Sequence, residues 1–322
     1  MGRTAILFAA LGAAAVTSLL TALGFGSFPI GLLEMVESVV FPSPGVVHDV
    51  VWNLRAPRAL AAFACGGLLA LAGTLLQVLL RNALADPYIL GVSGGASLGA
   101  LLALAAGAGA LAINFSAFAG AVAAIVIVFG LSYRSGDWNV YRLLLTGVVL
   151  SAGLAALISL TLVLAPEAQL RGMLFWLMGD LSQSDSPLSA WIALAALTAL
   201  AVAAALGLDL LALGELKARS LGVAVGALQL AVFGAAAIAT VAAVVLGGAI
   251  GFIGLMAPHA IRLAGVTHHR ALVPLAVLLG GSILTFADTA ARTAWAPQQL
   301  PVGIFTALIG VPAMLFLLGR QR

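Results

Sequence analysis

Long apolar runs separated by short polar joints dominate this chain. Nine of them, Thr4–Leu23, Ala59–Leu80, Ile89–Ala106, Phe115–Leu131, Leu143–Leu164, Ser189–Gly207, Ala224–Leu246, Ala271–Phe286 and Val302–Leu318, approach the ~20 residues that carry a helix across a bilayer. A tenth run, Phe252–Leu263, is short and holds Pro258, which suits a half-span or a tilted, partly buried helix. The pattern predicts an all-α, polytopic membrane protein with about ten transmembrane helices, formed as a single domain over residues 1–322. The first apolar stretch exceeds the ~7–15 residues of a signal-peptide core, so it is read as a span. Joints fall at Phe41–Pro44, Asn82–Pro87 and Ser182–Pro187, and Pro297 and Pro301 bracket the last connection.

Composition agrees with that pattern. Of 322 residues 63% are hydrophobic and only 8% charged, with a mean hydropathy of +1.20. A soluble domain usually carries about 25% charged residues. The single cysteine, Cys65, excludes an intramolecular disulfide framework and reads as a small packing residue. A net charge of +3 without a basic cluster leaves no footprint for nucleic acid.

The 14 basic residues set the orientation. With the N-terminus in the cytoplasm and ten crossings, Arg3, Arg81, Arg134, Arg142, Lys217, Arg219, Arg262, Arg270, Arg320 and Arg322 lie inside. Arg55, Arg58, Arg171 and Arg292 lie outside, so N-in and C-in is favoured and the outer arginines need their own explanation. Gly91, Gly95 and Gly99, and again Gly247 and Gly251, recur at four-residue spacing, which lets neighbouring backbones approach closely.

Several chemistries are excluded or weakened. No GxxxxGK[ST] phosphate loop exists, so the chain is not its own P-loop ATPase. No HExxH and no Cys/His cluster with metal-ligand spacing occurs; His268 and His269 fall in a predicted loop and His259 reads as structural. Gly91–Gly95 matches G-x-S-x-G around Ser93, but no strand precedes it, which argues against an intramembrane serine hydrolase. An ion-coupled secondary transporter would keep a carboxylate near the membrane centre. The eleven acidic residues all sit in predicted loops or near predicted helix ends.

The informative cytoplasmic stretch is LALGELKARSLG, Leu211–Gly222, within a segment 208–224 between the sixth and seventh spans. Glu215 and Arg219 are four apart and can pair on one face of a short helix. Leu213, Leu216 and Ser220 share another face, and Gly214 and Gly222 flank the element. Such a helix suits docking onto a soluble partner.

That stretch resembles the coupling loop of the permeases that import iron–siderophore, haem and vitamin B12 with ABC ATPases. Arg55-Ala-Pro-Arg58, RNALADPYILGVSGGASLGA (Arg81–Ala100), GAIGFIGLMAPHAIRLAGVTHHR (Gly248–Arg270) and LPVGIFTALIGVPAMLFLL (Leu300–Leu318) resemble further signatures of that family, in its order and spacing. The resemblance implies a type II importer permease in the bacterial inner membrane, carrying a metal chelate inward as a homodimer. Two ATPase subunits would dock below, holding the ATP and Mg; a periplasmic binding protein would dock above, and the chain itself would hold no cofactor. It further implies that Leu213, Gly214, Glu215, Lys217, Arg219 and Gly222 form the ATPase-coupling segment. Arg55, Arg58 and Arg292 would receive acidic knobs of the binding protein. Asn139, Val140 and Tyr141 would form a cytoplasmic gate, where Tyr141 is bulkier than the residue expected of a vitamin B12 permease. Arg171–Met178 resembles a short outer helix whose Phe175 and Trp176 would line the entrance.

Overall fold

A computed structural model describes residues 2–41, 44–134, 137–138, 140–182 and 186–319. The predicted runs emerge as helices: α1 (Gly2–Gly24), then α2 (Leu32–Val40) and α3 (Val46–Asp49) in the first outer connection. A π-helical turn, Val50–Arg55, leads into α4 (Ala56–Leu79). A 3₁₀ turn at Pro87–Leu90 precedes α5 (Val92–Ala105), followed by α6 (Ala110–Ser132). Two-residue strands β1 (Tyr133–Arg134) and β2 (Asp137–Trp138) pair antiparallel, Tyr133 opposite Trp138, before α7 (Val140–Leu164). Then come α8 (Glu167–Met178), α9 (Leu188–Ala203), α10 (Ala205–Ala212), α11 (Glu215–Ser220), α12 (Val225–Gly247), α13 (Ile253–Leu263), α14 (His269–Thr293) and α15 (Val302–Gly319).

Among the described residues six helical stretches are long and apolar enough to cross a membrane: α1, Val46–Leu79, α6, Tyr141–Leu164, α12 and α14. A seventh is broken, with α9 and α10 meeting at 63°, and α5 and α15 are shorter apolar helices. The predicted half-span with Pro258 is α13, eleven residues long. The chain is thus a multi-pass helical bundle.

The core is α4. From Ala59 to Leu79 every residue but Leu60 is buried. Lipid tails are as apolar as leucine, so helix association in a membrane depends on close packing more than on a hydrophobic drive. Small residues supply it. A Cβ at Gly66 would fall 2.3 Å from the Gly280 carbonyl oxygen of α14, and one at Gly73 would fall 1.8 Å from that of Gly254 in α13. Gly95 and Gly99 of α5 lie the same way against the Gly120 and Ser116 carbonyls of α6.

Other glycines do not follow the expected packing role. Gly91 sits at φ +74° as the turn into α5, a left-handed backbone that favours glycine. Nothing lies within 4 Å of a Cβ at Gly251. Two placements of polar residues also change. His269 is not in a loop but opens α14, buried, and Asp288 lies inside α14 rather than beyond its end.

Replacing Gly73 by alanine should destabilise the fold by about 1–3 kcal/mol, since backbone rather than a flexible side chain must yield. Gly153→Ala in α7, where a Cβ meets nothing within 4 Å, should change it by less than about 0.5 kcal/mol. Denaturant unfolding of the full chain in mixed micelles checks both.

Candidate functional site

The two ends of the bundle carry the residues of interest. At one end Arg3 lies against Gly265 and Arg81 against Gly214; at the other, Arg55 and Arg292 meet the C-terminus of α1 and Arg58 meets Asp288. This segregation matches the inner and outer sides assigned from charge.

At the inner end, α11 is a six-residue helix between two left-handed glycines, Gly214 at φ +108° and Gly222 at φ +84°. Those turns lift α11 off the bundle. Its Ala218 is buried, while Leu216 is 86% exposed and Leu213 and Leu221 are each 59% exposed. The expected Glu215–Arg219 pair is absent from the ion pairs among the described residues. Glu215 instead accepts a hydrogen bond from Gln229 Nε2 at 3.0 Å, which ties α11 to α12. A neutral donor on the next helix holds this carboxylate in place and leaves Arg219 to the surface. Arg81, in a left-handed conformation at φ +46°, lines a cleft of about 470 Å³ with Leu213, Gly214, Glu215, Leu216 and Lys217. Pattern reading missed Arg81 here, because it lies far from α11 along the chain.

Beneath α11, Asp209 of α10 accepts the His269 backbone N–H at 2.9 Å and meets His269 Nδ1 at 2.5 Å. His268 Nδ1 lies 3.3 Å from the other carboxylate oxygen. The carboxylate caps the first turn of α14, as an anion at a helix N-terminus should. The base of the α11 segment is thereby fastened to α14.

At the outer end Arg55 and Arg292 are buried and Arg58 is half-buried, and all three are engaged by groups of this chain. Arg55 is 4% exposed; its Nη1 donates to the Leu23 and Gly24 carbonyls at 2.7 and 2.9 Å, and its Nη2 donates to Phe28 O. Arg292 Nη2 donates to Ala22 O. The last carbonyls of a helix have no intrahelical partner, and two guanidinium groups from other helices satisfy those of α1. Arg58 chelates Asp288, with Nε 3.0 and 3.1 Å from its two oxygens and Nη2 2.8 Å from one, while Nη1 donates to Gln299 at 2.8 Å. Arg292 Nε stands 3.8 Å from the same carboxylate. The π-helical turn at Val50–Arg55 adds a residue to the helical repeat just before Arg58 and sets Arg55 toward α1.

Of the gate residues, Asn139 lies outside the described residues, Val140 opens α7, and Tyr141 is 72% exposed. Phe175 and Trp176 are half-buried on α8 and line a cavity of about 1310 Å³ between α6, α8, α9 and α12. Arg171 stacks over the Phe175 ring at 5.6 Å.

The sequence profile of the FecCD transport family matches residues 14–320. The chain belongs to the FecCD transport family. Among curated FecCD relatives, the hemin transport system permease protein HmuU of Yersinia pestis is 39% identical over 316 residues, 94% of each chain. The vitamin B12 import system permease protein BtuC of Escherichia coli (strain HS) is 38% identical over 277 residues, 84% of each chain. A metal-chelate type ABC transporter solved in an inward-facing conformation superposes with a TM-score of 0.86 at 30% identity, over 98% of this chain and 99% of that one. PsaBC of Streptococcus pneumoniae, in complex with a Fab, shares the fold at a TM-score of 0.57 and 16% identity, over 84% of this chain and 93% of that one. As a FecCD member the chain is a permease, a translocation subunit rather than an enzyme.

Arg55→Met should expose the last turn of α1. Amide hydrogen exchange over residues 23–28 should then quicken by about tenfold or more, the equivalent of ~1.4 kcal/mol. An arginine that serves only to receive a partner would leave that exchange unchanged.

Proposed function

We propose that this permease is the membrane-spanning half of an ABC importer that moves a metal chelate, whether ferric siderophore, haem or vitamin B12, from periplasm to cytoplasm across the bacterial inner membrane. The observation that carries the proposal is α11. A short helix and its flanking residues that present Leu213, Leu216 and Leu221 to the cytoplasm are costly as a free surface and suit a groove on a soluble partner. Two ATPase subunits, which supply ATP and Mg, dock there on a homodimer of the chain. Leu213, Glu215, Lys217 and Arg219 pass their movement to the bundle, and the left-handed Gly214 and Gly222 fix the angle of α11. The periplasmic binding protein meets the outer surface that Arg55, Arg58 and Arg292 hold together from within.

Relative tilting of the two copies opens the path alternately to each side. Asn139, Val140 and Tyr141 close it toward the cytoplasm, and Phe175 and Trp176 sit beside its entrance. The family resemblance and the named relatives support this reading.

Proteoliposomes that hold the chain, its neighbouring ATPase and its binding protein should accumulate one chelate class when ATP is supplied on the ATPase side. Leu216→Asp should abolish both ATPase co-purification and uptake while leaving the permease folded. Uptake driven by a proton or sodium gradient without ATP would contradict the proposal.

A further inference from the structure

The cavity between α6, α8, α9 and α12 is graded along the membrane normal. Its polar groups are confined to the outer end: Asn114 at the start of α6, Arg171 on α8, Asp180 after α8, Ser189 on α9 and Gln298 in the last outer connection. Deeper, its walls are apolar, with Phe118 and Val122 from α6 facing Ile238 and Gly234 from α12. Phe118, Val122 and Ile238 are 49%, 37% and 57% exposed, so the slot opens sideways between the two helices. Its inner end is closed by Phe233, which stacks on Phe129 with ring centroids 6.2 Å apart. From Leu246 to Phe233 along α12 the slot covers ~20 Å at 1.5 Å per residue, against ~30 Å for a whole hydrocarbon core. A blind slot with a polar mouth, about one leaflet deep, does not have the form of a transit path.

We infer that this slot binds a phospholipid of the outer leaflet, with an acyl chain between α6 and α12 and the headgroup phosphate at Arg171. Arg171 enters none of the ion pairs among the described residues and is held at the rim by the Phe175 ring. Guanidinium is the side chain best matched to phosphate oxygens. Asp180 places a carboxylate at the same mouth, with its oxygens accepting from Ser182 N at 2.8 Å and Ser182 Oγ at 2.7 Å. One cation and one carboxylate suit a zwitterionic headgroup better than a free anion. The apolar shaft below commits the site to a lipid rather than inorganic phosphate.

The test is native mass spectrometry of the full chain titrated with phosphatidylethanolamine. A Cβ at Gly234 meets nothing within 4 Å, so Gly234→Leu fills the shaft without displacing backbone. Wild type should retain a lipid that detergent washing does not remove. Gly234→Leu and Arg171→Gln should each weaken retention by about tenfold, and millimolar inorganic phosphate should not displace the lipid. Equal retention in wild type and Gly234→Leu would overturn the inference. So would release of the lipid by haem or cobalamin in wild type but not in Gly234→Leu, which would assign the slot to the chelate.

Discussion

The outer end of the bundle turns on one carboxylate. Asp288 is 1% exposed and faces Arg58 across a bidentate contact, with Arg292 at 3.8 Å. Two buried guanidinium groups and a half-buried third, side by side, are tenable only with an anion among them and with carbonyls to satisfy the remaining N–H groups. Asp288 supplies the first and the frayed end of α1 the second. Arg58 stands eight residues before Gly66 on α4, and Asp288 eight residues after Gly280 on α14. On two antiparallel helices each interval is ~12 Å. The ion pair and the Gly66–Gly280 contact are therefore two rungs of one register. A slip by a residue would separate the charges and drive side chains into the backbone seam together.

The same helix links the ends of the protein. α14 starts at His269, fastened to Asp209 beneath the exposed α11, and carries Asp288 about 28 Å further along its axis. In a bundle held by interlocked glycines rather than by loosely sliding side chains, α14 acts as a stiff strut. It connects the exposed α11 surface with the cluster that closes the opposite end. For a transport subunit, such a strut is a physical means of carrying movement through the membrane.

Much of this was legible in the sequence, for reasons that follow from the bilayer. Apolar length marked the spans, Pro258 marked the short helix, and Gly214 and Gly222 bracketed α11. The outer arginines were legible as an anomaly but not as a buried cluster, because their partners lie far away: Asp288 is 230 residues from Arg58, and the α1 carbonyls carry no side-chain signal. Reading the eighth long run as ending at Phe286 set Asp288 just past a supposed helix end, although α14 continues to Thr293. The break between α9 and α10 has no proline at Ala204 to announce it. α2 was also missed. Its two glutamates made nine residues look like loop, yet Met35 and Ser38 face the protein while Leu33, Val36 and Val40 are exposed.

The most direct test of this account is a double-mutant cycle between Arg58 and Asp288, read from denaturant unfolding of the full chain. With Arg58→Met, Asp288→Ala and the pair combined, the account predicts that each single change costs about 3–5 kcal/mol. The double change should cost much less than their sum, a coupling of about 3 kcal/mol. Additive losses, with coupling below about 0.5 kcal/mol, would show that the two charges do not meet in the folded protein and would contradict the register proposed for α4 and α14.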